Sequence, residues 1–445
     1  MTDHAVTRAI VSEYTKKYPQ SNTLHQACLK YMPAGTTRSL SYFKPYPLHI
    51  ASGKGAYVYT HEGHALLDVT NSYGASVHGH GDPDFKKAVA DSMEKGVQFS
   101  APTEAQYRFA KLLCERIPSF DRVRFCNSGT EATLFALRTA RAYTGKDKIM
   151  KMTGGFHGTH DCVATSTKKN TVVMGIPSGM SADVVEVKYN DLEDFETTFK
   201  KVHKELACVI VEPFLGAGGI ILPQKGYLEL IRELTQKYGV LLLFDEIFSL
   251  RIHYGGAQSY YSVIPDITAA GKVIGGGLPV GVFGGKEEIM NIYCQVTTER
   301  PLYHSGTFNG YETVMNTGIA TLEKLDHDAI AALNALGDNL KADLDQIIKD
   351  NGLCLQVNQI GSLLNIHFAR EEVTNNEAVL QTPDELQAWL HLSLLNKGVY
   401  PTPRGLFILS TPMGNKEMDL FTSAMDEALA QLKPYIQDKY SHLLL

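Results

Sequence analysis

Three short segments carry side chains able to do chemistry. Asn127-Ser128-Gly129-Thr130-Glu131-Ala132 stands between a short apolar run and an amphipathic stretch. Small residues opening a helix expose successive backbone N–H groups, and these bind an anion such as a phosphate. The plain alternative is an N-cap, because Ser or Thr ahead of a first-turn Glu also satisfies helix donors. Asp245 closes the apolar run 240–244 (VLLLF). Ligands of open α/β sheets sit beyond the carboxyl ends of strands, so a carboxylate there faces a site. A buried carboxylate needs a partner. A protonated ring nitrogen is one such partner, and a cap on the next segment is another. Lys272 lies between Ala269-Ala270-Gly271 and Val273-Ile274-Gly275-Gly276-Gly277. A desolvated lysine loses its proton readily and attacks an aldehyde; the alternative is an exposed loop lysine. These glycines are no dinucleotide fingerprint, since neither 275–280 nor 216–221 has the third glycine of G-x-G-x-x-G.

The elements that must hold these residues are legible in the hydrophobic pattern. Residues 206–212 (LACVIVE) form a β-branched run closed by Pro213. Leu228, Ile231, Leu234 and Tyr238 then recur at helical spacing, with Gly239 suited to end the helix. Strand 240–244 follows. Continuous apolar strands around an amphipathic helix predict parallel pairing with both sheet faces covered. The same grammar predicts a strand at 123–126 and a helix at 130–143. The last third reads differently, with helices at 329–348, 383–396 and 416–432 and strands at 363–368 and 406–410. The expected organisation is a segment 1–75 contributing to a small domain, a large α/β domain at 76–325, and a small α+β domain at 326–445.

Composition bounds the rest. The 445 residues are 44% hydrophobic and 20% charged, enough for a sizeable core. Lys plus Arg is 42 and Asp plus Glu is 48, a net charge of −6. That balance has no electrostatic footprint for nucleic acid or an acidic membrane. Seven scattered cysteines without a CxxC pair argue against a disulfide framework and against a metal site of that kind. No run approaches 18 apolar residues, so no membrane span is expected. The expected setting is cytoplasmic.

An anion cradle, a strand-end Asp and a glycine-flanked Lys, in that order on one α/β chain, are the set that pyridoxal 5′-phosphate (PLP) requires. The chain resembles a class III aminotransferase of PLP fold type I. It is most similar to the branch holding glutamate-1-semialdehyde aminomutases and β-amino acid (β-phenylalanine) aminotransferases. The resemblance runs from about Tyr31 to Pro412. It is carried by NSGTEA at 127–132, GGFHG at 154–158, VEP at 211–213, DEI at 245–247, GKVIGGGLPVGVFGG at 271–285 and HSGTFNG at 304–310. It implies that Lys272 and Asp245 are catalytic and that Ser128, Gly129 and Thr130 bind the phosphate. Phe156, where the family more often has Tyr, and Ile247 would flank the pyridine ring. Glu212 would order the ring-oxygen side, unless it is a structural carboxylate. His157, beside Phe156, reads as structural. Thr307 would reach the phosphate of a neighbouring subunit, which implies a homodimer.

On the substrate side stand Arg38, in Gly35-Thr36-Thr37-Arg38-Ser39, and Arg404, in Thr402-Pro403-Arg404-Gly405. An arginine fork binds a carboxylate in bidentate fashion; domain-packing arginines are the alternative. The resemblance to β-phenylalanine aminotransferases over 31–47 and 399–410 favours the carboxylate role. Aminomutases usually carry an acidic residue where Pro403-Arg404-Gly405 stands. Their gating-loop region is also longer than 154–190 here. Tyr42, Phe43 and Tyr73 are candidates for an aromatic wall, or else core residues. The expected reaction is transamination of a β-amino acid with 2-oxoglutarate as acceptor; the alternative is an aminomutase-type isomerase.

Overall fold

A computed structural model describes residues 4–164 and 173–445. Contacts divide the chain into two compact units. The large one comprises Pro83–Ala331 with Thr374–Glu377, and the small one Met1–Asp82, Ala332–Val373 and Ala378–Leu445.

The large unit is built on a seven-stranded sheet. Its strands, labelled in chain order, are β1 Arg122–Cys126, β2 Lys148–Met152, β3 Val184–Val187, β4 Leu206–Val211, β5 Leu241–Asp245, β6 Ile267–Gly271 and β7 Gly281–Gly285. The spatial order is β1-β7-β6-β5-β4-β2-β3. Strands β3, β2, β4, β5 and β6 pair in parallel, and β7 runs antiparallel to both β6 and β1. Every residue of β4 and β6 is buried. That burial explains their continuous apolar runs, because helices or loops cover both faces of a parallel sheet. Ile210, Leu243 and Ile267 are fully buried in one cluster with Ala132, Ala136 and Phe283. Each such aliphatic side chain contributes about 2 kcal/mol of burial. Helix α1, Gly129–Thr144, where a helix is expected at 130–143, buries Ala132, Ala136, Leu137 and Ala140. Helix α2 spans Tyr227–Tyr238, and Gly239 follows in left-handed geometry (φ 63°), where a side chain would be strained.

The small unit carries two sheets. One runs Ile50–Lys54, Tyr57–Thr60, Ala65–Asp68 and Val399–Tyr400, and the other Gln356–Ile360, Leu363–His367 and Leu406–Ile408. The helices read from the sequence form at His327–Asp350, Asp384–Asn396 and Asn415–Lys439. Among the described residues, no helix is long and apolar enough to cross a membrane.

Candidate active site

The anion cradle forms where β1 passes into α1. Ser128 is the N-cap, its Oγ accepting from the Glu131 N–H at 3.1 Å. The capping role is therefore real. A hydroxyl that accepts from a backbone N–H still has its own proton to give to an anionic oxygen. The N–H groups of Gly129 and Thr130 are orphan donors of the first turn and carry the positive end of the helix dipole. Glu131 Oε2 accepts from the Asn127 N–H at 2.8 Å, and Asn127 Nδ2 donates to Asn309 Oδ1 at 2.9 Å. The last contact ties the 304–310 segment to the cradle. A Cβ on Gly129 would lie 2.8 Å from Ile247 Cδ1, so the cradle and Ile247, two residues past the end of β5, are in close contact. Cys126 is buried at the end of β1, and burial pushes its thiol pKa up.

Asp245 ends β5 with both oxygens engaged. Oδ1 accepts from the Ile247 N–H at 3.1 Å, and Oδ2 lies 2.9 Å from Nδ1 of fully buried His157. Burial lowers the pKa of His157, and Asp245 only partly opposes it. The imidazole is accordingly neutral. A carboxylate can only accept, so the proton sits on Nδ1 and the ring donates to Asp245. Nε2 of His157 is buried without a hydrogen-bond partner among the described residues. His157 thus does more than fill space: it orients the carboxylate and supports its negative charge. Sequence reading missed this, and its only signal was adjacency to Phe156 in GGFHG.

Lys272 follows β6 with φ 48°, a left-handed geometry costly for any residue with a Cβ. Its Nζ lies 4.4 Å from the centre of the Phe248 ring. Burial lowers its pKa, with Glu212 and Asp245 acting in the opposite sense. Glu212 follows β4, with Oε1 accepting from the Phe156 N–H at 2.8 Å and Oε2 from the Gly216 N–H at 3.0 Å. Burial and then the Asp245 charge raise its pKa, while those two N–H groups and Lys272 lower it. Phe156 is 47% exposed, which leaves a ring face free for a planar partner. Thr307 is exposed, its carbonyl accepting from Gln98 Nε2.

In the small unit, Arg38 and Arg404 are both exposed and Tyr73 is half-buried. The Arg38 guanidinium lies 5.3 Å from the Tyr73 ring centre. Burial raises the Tyr73 phenol pKa, and both Arg38 and Arg404 pull it down. Arg404 sits on a turn where Leu406 N–H donates to Thr402 Oγ1 at 3.1 Å. Gly405 takes φ 74° there, and a Cβ would fall 2.4 Å from Gln387 Oε1. Phe43 packs edge-on against His391 at 4.5 Å and is a packing residue, while Tyr42 is exposed. Of the segment 154–190, residues 165–172 lie outside the described residues.

The large unit thus offers a helix N-terminus for a dianion, a buried carboxylate for a protonated ring nitrogen, and a desolvated amine for an aldehyde. These are the three polar demands of PLP, and the donor set fits it. The class III aminotransferase model matches residues 41–413, and the chain belongs to that family. A glutamate-1-semialdehyde 2,1-aminomutase of Bacillus cereus is 37% identical, over 94% of this chain and 100% of its own. An ω-transaminase from Sphaerobacter thermophilus superposes with a TM-score of 0.90 at 35% identity, covering 93% of this chain and 98% of that one. A β-phenylalanine aminotransferase from Variovorax paradoxus gives 0.89 at 34% identity, over 99% of both. The protein is a PLP-dependent aminotransferase of fold type I.

The His157–Asp245 contact yields a direct prediction. A hydrogen bond to a charged group contributes about 1.5–3 kcal/mol, so His157→Ala should weaken PLP binding or kcat by roughly 10- to 100-fold. PLP titration of the apo chain and steady-state kinetics measure both. Unchanged values would reduce His157 to a packing residue.

Proposed function

We propose that this aminotransferase acts on a β-amino acid of the 3-amino-3-phenylpropanoate type and passes the amino group to 2-oxoglutarate. The observation that carries the reading is the Arg38 guanidinium 5.3 Å from the Tyr73 ring centre, with Arg404 lowering the pKa of the same phenol. Such a locus suits a substrate that is both carboxylated and aromatic. The β-phenylalanine aminotransferase among the structural relatives supports the same class.

PLP, when bound, supplies an aldehyde for the amino group and a ring that accepts electrons as the neighbouring C–H bond breaks. The Asp245 carboxylate would keep a proton on the ring nitrogen. Nζ of Lys272, a desolvated amine, would hold the aldehyde of the cofactor and would serve as the base for the proton on the substrate carbon bearing nitrogen. Ser128, Gly129 and Thr130 bind the phosphate. Phe156 and Ile247 would flank the ring, and Glu212 would order its oxygen side. In a β-amino acid the reacting carbon lies one bond further from the carboxylate, so a carboxylate held at that greater distance would select it. Thr307 serves a phosphate held by a second copy. Exposed Tyr303 and Phe308, flanking it in the chain, favour the homodimer. The cytoplasmic setting proposed here rests on the absence of paired cysteines.

The aminomutase relatives favour a second reading, isomerisation of glutamate-1-semialdehyde. Incubation with 3-amino-3-phenylpropanoate and 2-oxoglutarate separates the two. Glutamate formation supports transamination. Conversion of glutamate-1-semialdehyde without glutamate from any β-amino acid overturns it. Arg404→Ala should raise KM for carboxylated substrates roughly 10-fold or more, the loss of a charged hydrogen bond. An equal KM for donor and acceptor in variant and wild type would reject its carboxylate role.

A further inference from the structure

Backbone strain in the small unit is concentrated in one turn. Asn71, Ser72 and Tyr73 have φ of 51°, 50° and 55°, followed by Gly74 at 90°. Side-chain-bearing residues avoid this left-handed region, and three in succession persist only where the surroundings over-determine them. The restraint here is Asp68, buried at the end of strand Ala65–Asp68. Its Oδ1 accepts from the N–H groups of Thr70 at 2.9 Å and Asn71 at 2.8 Å. Its Oδ2 lies 2.7 Å from His80 Nε2. His80 is itself fixed, exchanging two 2.8 Å backbone hydrogen bonds with Gly55. Room for its ring is made at Gly53, where a Cβ would come within 2.5 Å of His80 Cγ. Asn71 Nδ2 donates to the Leu409 carbonyl at 3.3 Å and pins the far side of the turn. The product of this arrangement is the placement of Tyr73 under the Arg38 guanidinium.

We propose that Asp68, clamped by His80, is a positioning residue for substrate: it holds the left-handed turn Asn71–Gly74 that sets Tyr73 against Arg38. The ligand class it serves is the donor carboxylate, and this rests on the reading that Arg38 and Arg404 bind that group. Both carboxylate oxygens of Asp68 are taken up by the turn and by His80, so its effect passes through the turn. Removing it frees the turn to relax to ordinary backbone geometry and withdraws the ring from the arginine.

The test compares Asp68→Ala, Asp68→Asn and wild-type holoenzyme with 3-amino-3-phenylpropanoate as donor. Asp68→Ala should raise the donor KM roughly 10-fold or more, the loss of hydrogen bonds to a charged group. The kcat and the amount of PLP fixed by borohydride should stay within about twofold, because this residue does not touch the reacting atoms. Asp68→Asn keeps an acceptor for the Thr70 and Asn71 N–H groups and should restore most of the KM. If Asp68→Ala does not fold, His80→Ala, which leaves Asp68 in place, should show the same KM change in smaller measure. A KM unchanged in Asp68→Ala or its His80→Ala substitute, or kcat and PLP loading falling in step with KM, overturns the positioning role. Wild-type enzyme that consumes no carboxylated donor removes the reading beneath the proposal, and the proposal with it.

Discussion

Lys272→Ala is expected to abolish covalent retention of PLP and to lower kcat by roughly 10³-fold or more, the scale of a lost proton-transfer group. The warrant is the lysine's surroundings. Its Nζ lies over the Phe248 ring at 4.4 Å, and burial lowers its pKa. A cation above an aromatic face gains some attraction, but the cost of desolvating the ammonium is larger. The neutral amine that attacks an aldehyde is therefore present at pH values where an exposed lysine is still protonated. Attachment should slow only as pH falls through the lowered pKa. In the unattached chain the same depression costs stability as pH falls from the ordinary 10.5, because the unfolded lysine takes up its proton first. Borohydride reduction followed by peptide mass analysis reads attachment directly. PLP still fixed to the chain in the variant, or turnover within about tenfold of wild type, would reject the assignment.

Asp245→Asn is expected to leave PLP binding largely intact while lowering kcat by roughly 10²–10³-fold, the effect of removing one preorganised charge from a dry site. Asparagine preserves shape and can still accept from the Ile247 N–H, but it cannot keep a proton on a ring nitrogen. A second effect has a definite sign. The Asp245 charge is one of the two main causes that raise the Glu212 pKa, so the substitution should lower that pKa toward the ordinary carboxylate range. A raised carboxyl pKa contributes stability at low pH that is lost as pH rises through the folded value. The wild-type chain should therefore lose stability with rising pH above the ordinary carboxylate range, and Asp245→Asn should flatten that slope. Thermal unfolding across pH tests the second effect and steady-state kinetics the first. A variant with near-normal kcat would mean that the ring nitrogen is protonated without Asp245.

Much of the large unit was legible because its signals are local. Strand 206–212 and helix 227–238 follow from apolar runs and from spacing within one or two helical turns, and Gly239 stops the helix where the pattern ends. The cradle was legible for the same reason, since a cap and a first-turn acid are three residues apart. Lys272 was placed by its glycine-rich flanks and Asp245 by its position at a strand end.

Other features were settled by distant pairings that no local pattern encodes. His157 and Asp245 are 88 residues apart in the chain, and Phe156 and Glu212 are 56 apart. Read alone, His157 is a histidine in a glycine-rich loop, and its role appears only when β5 brings a carboxylate to its Nδ1. Phe248 beneath Lys272 and the left-handed turn carrying Tyr73 are of the same kind. Residue types and short-range spacing determined which groups could do chemistry, because propensity, capping and amphipathicity act over a few residues. Tertiary structure decided which of those groups are desolvated and which neighbour each one feels. Burial and Coulomb effects depend on distance in space, and that distance is set by how the strands pair.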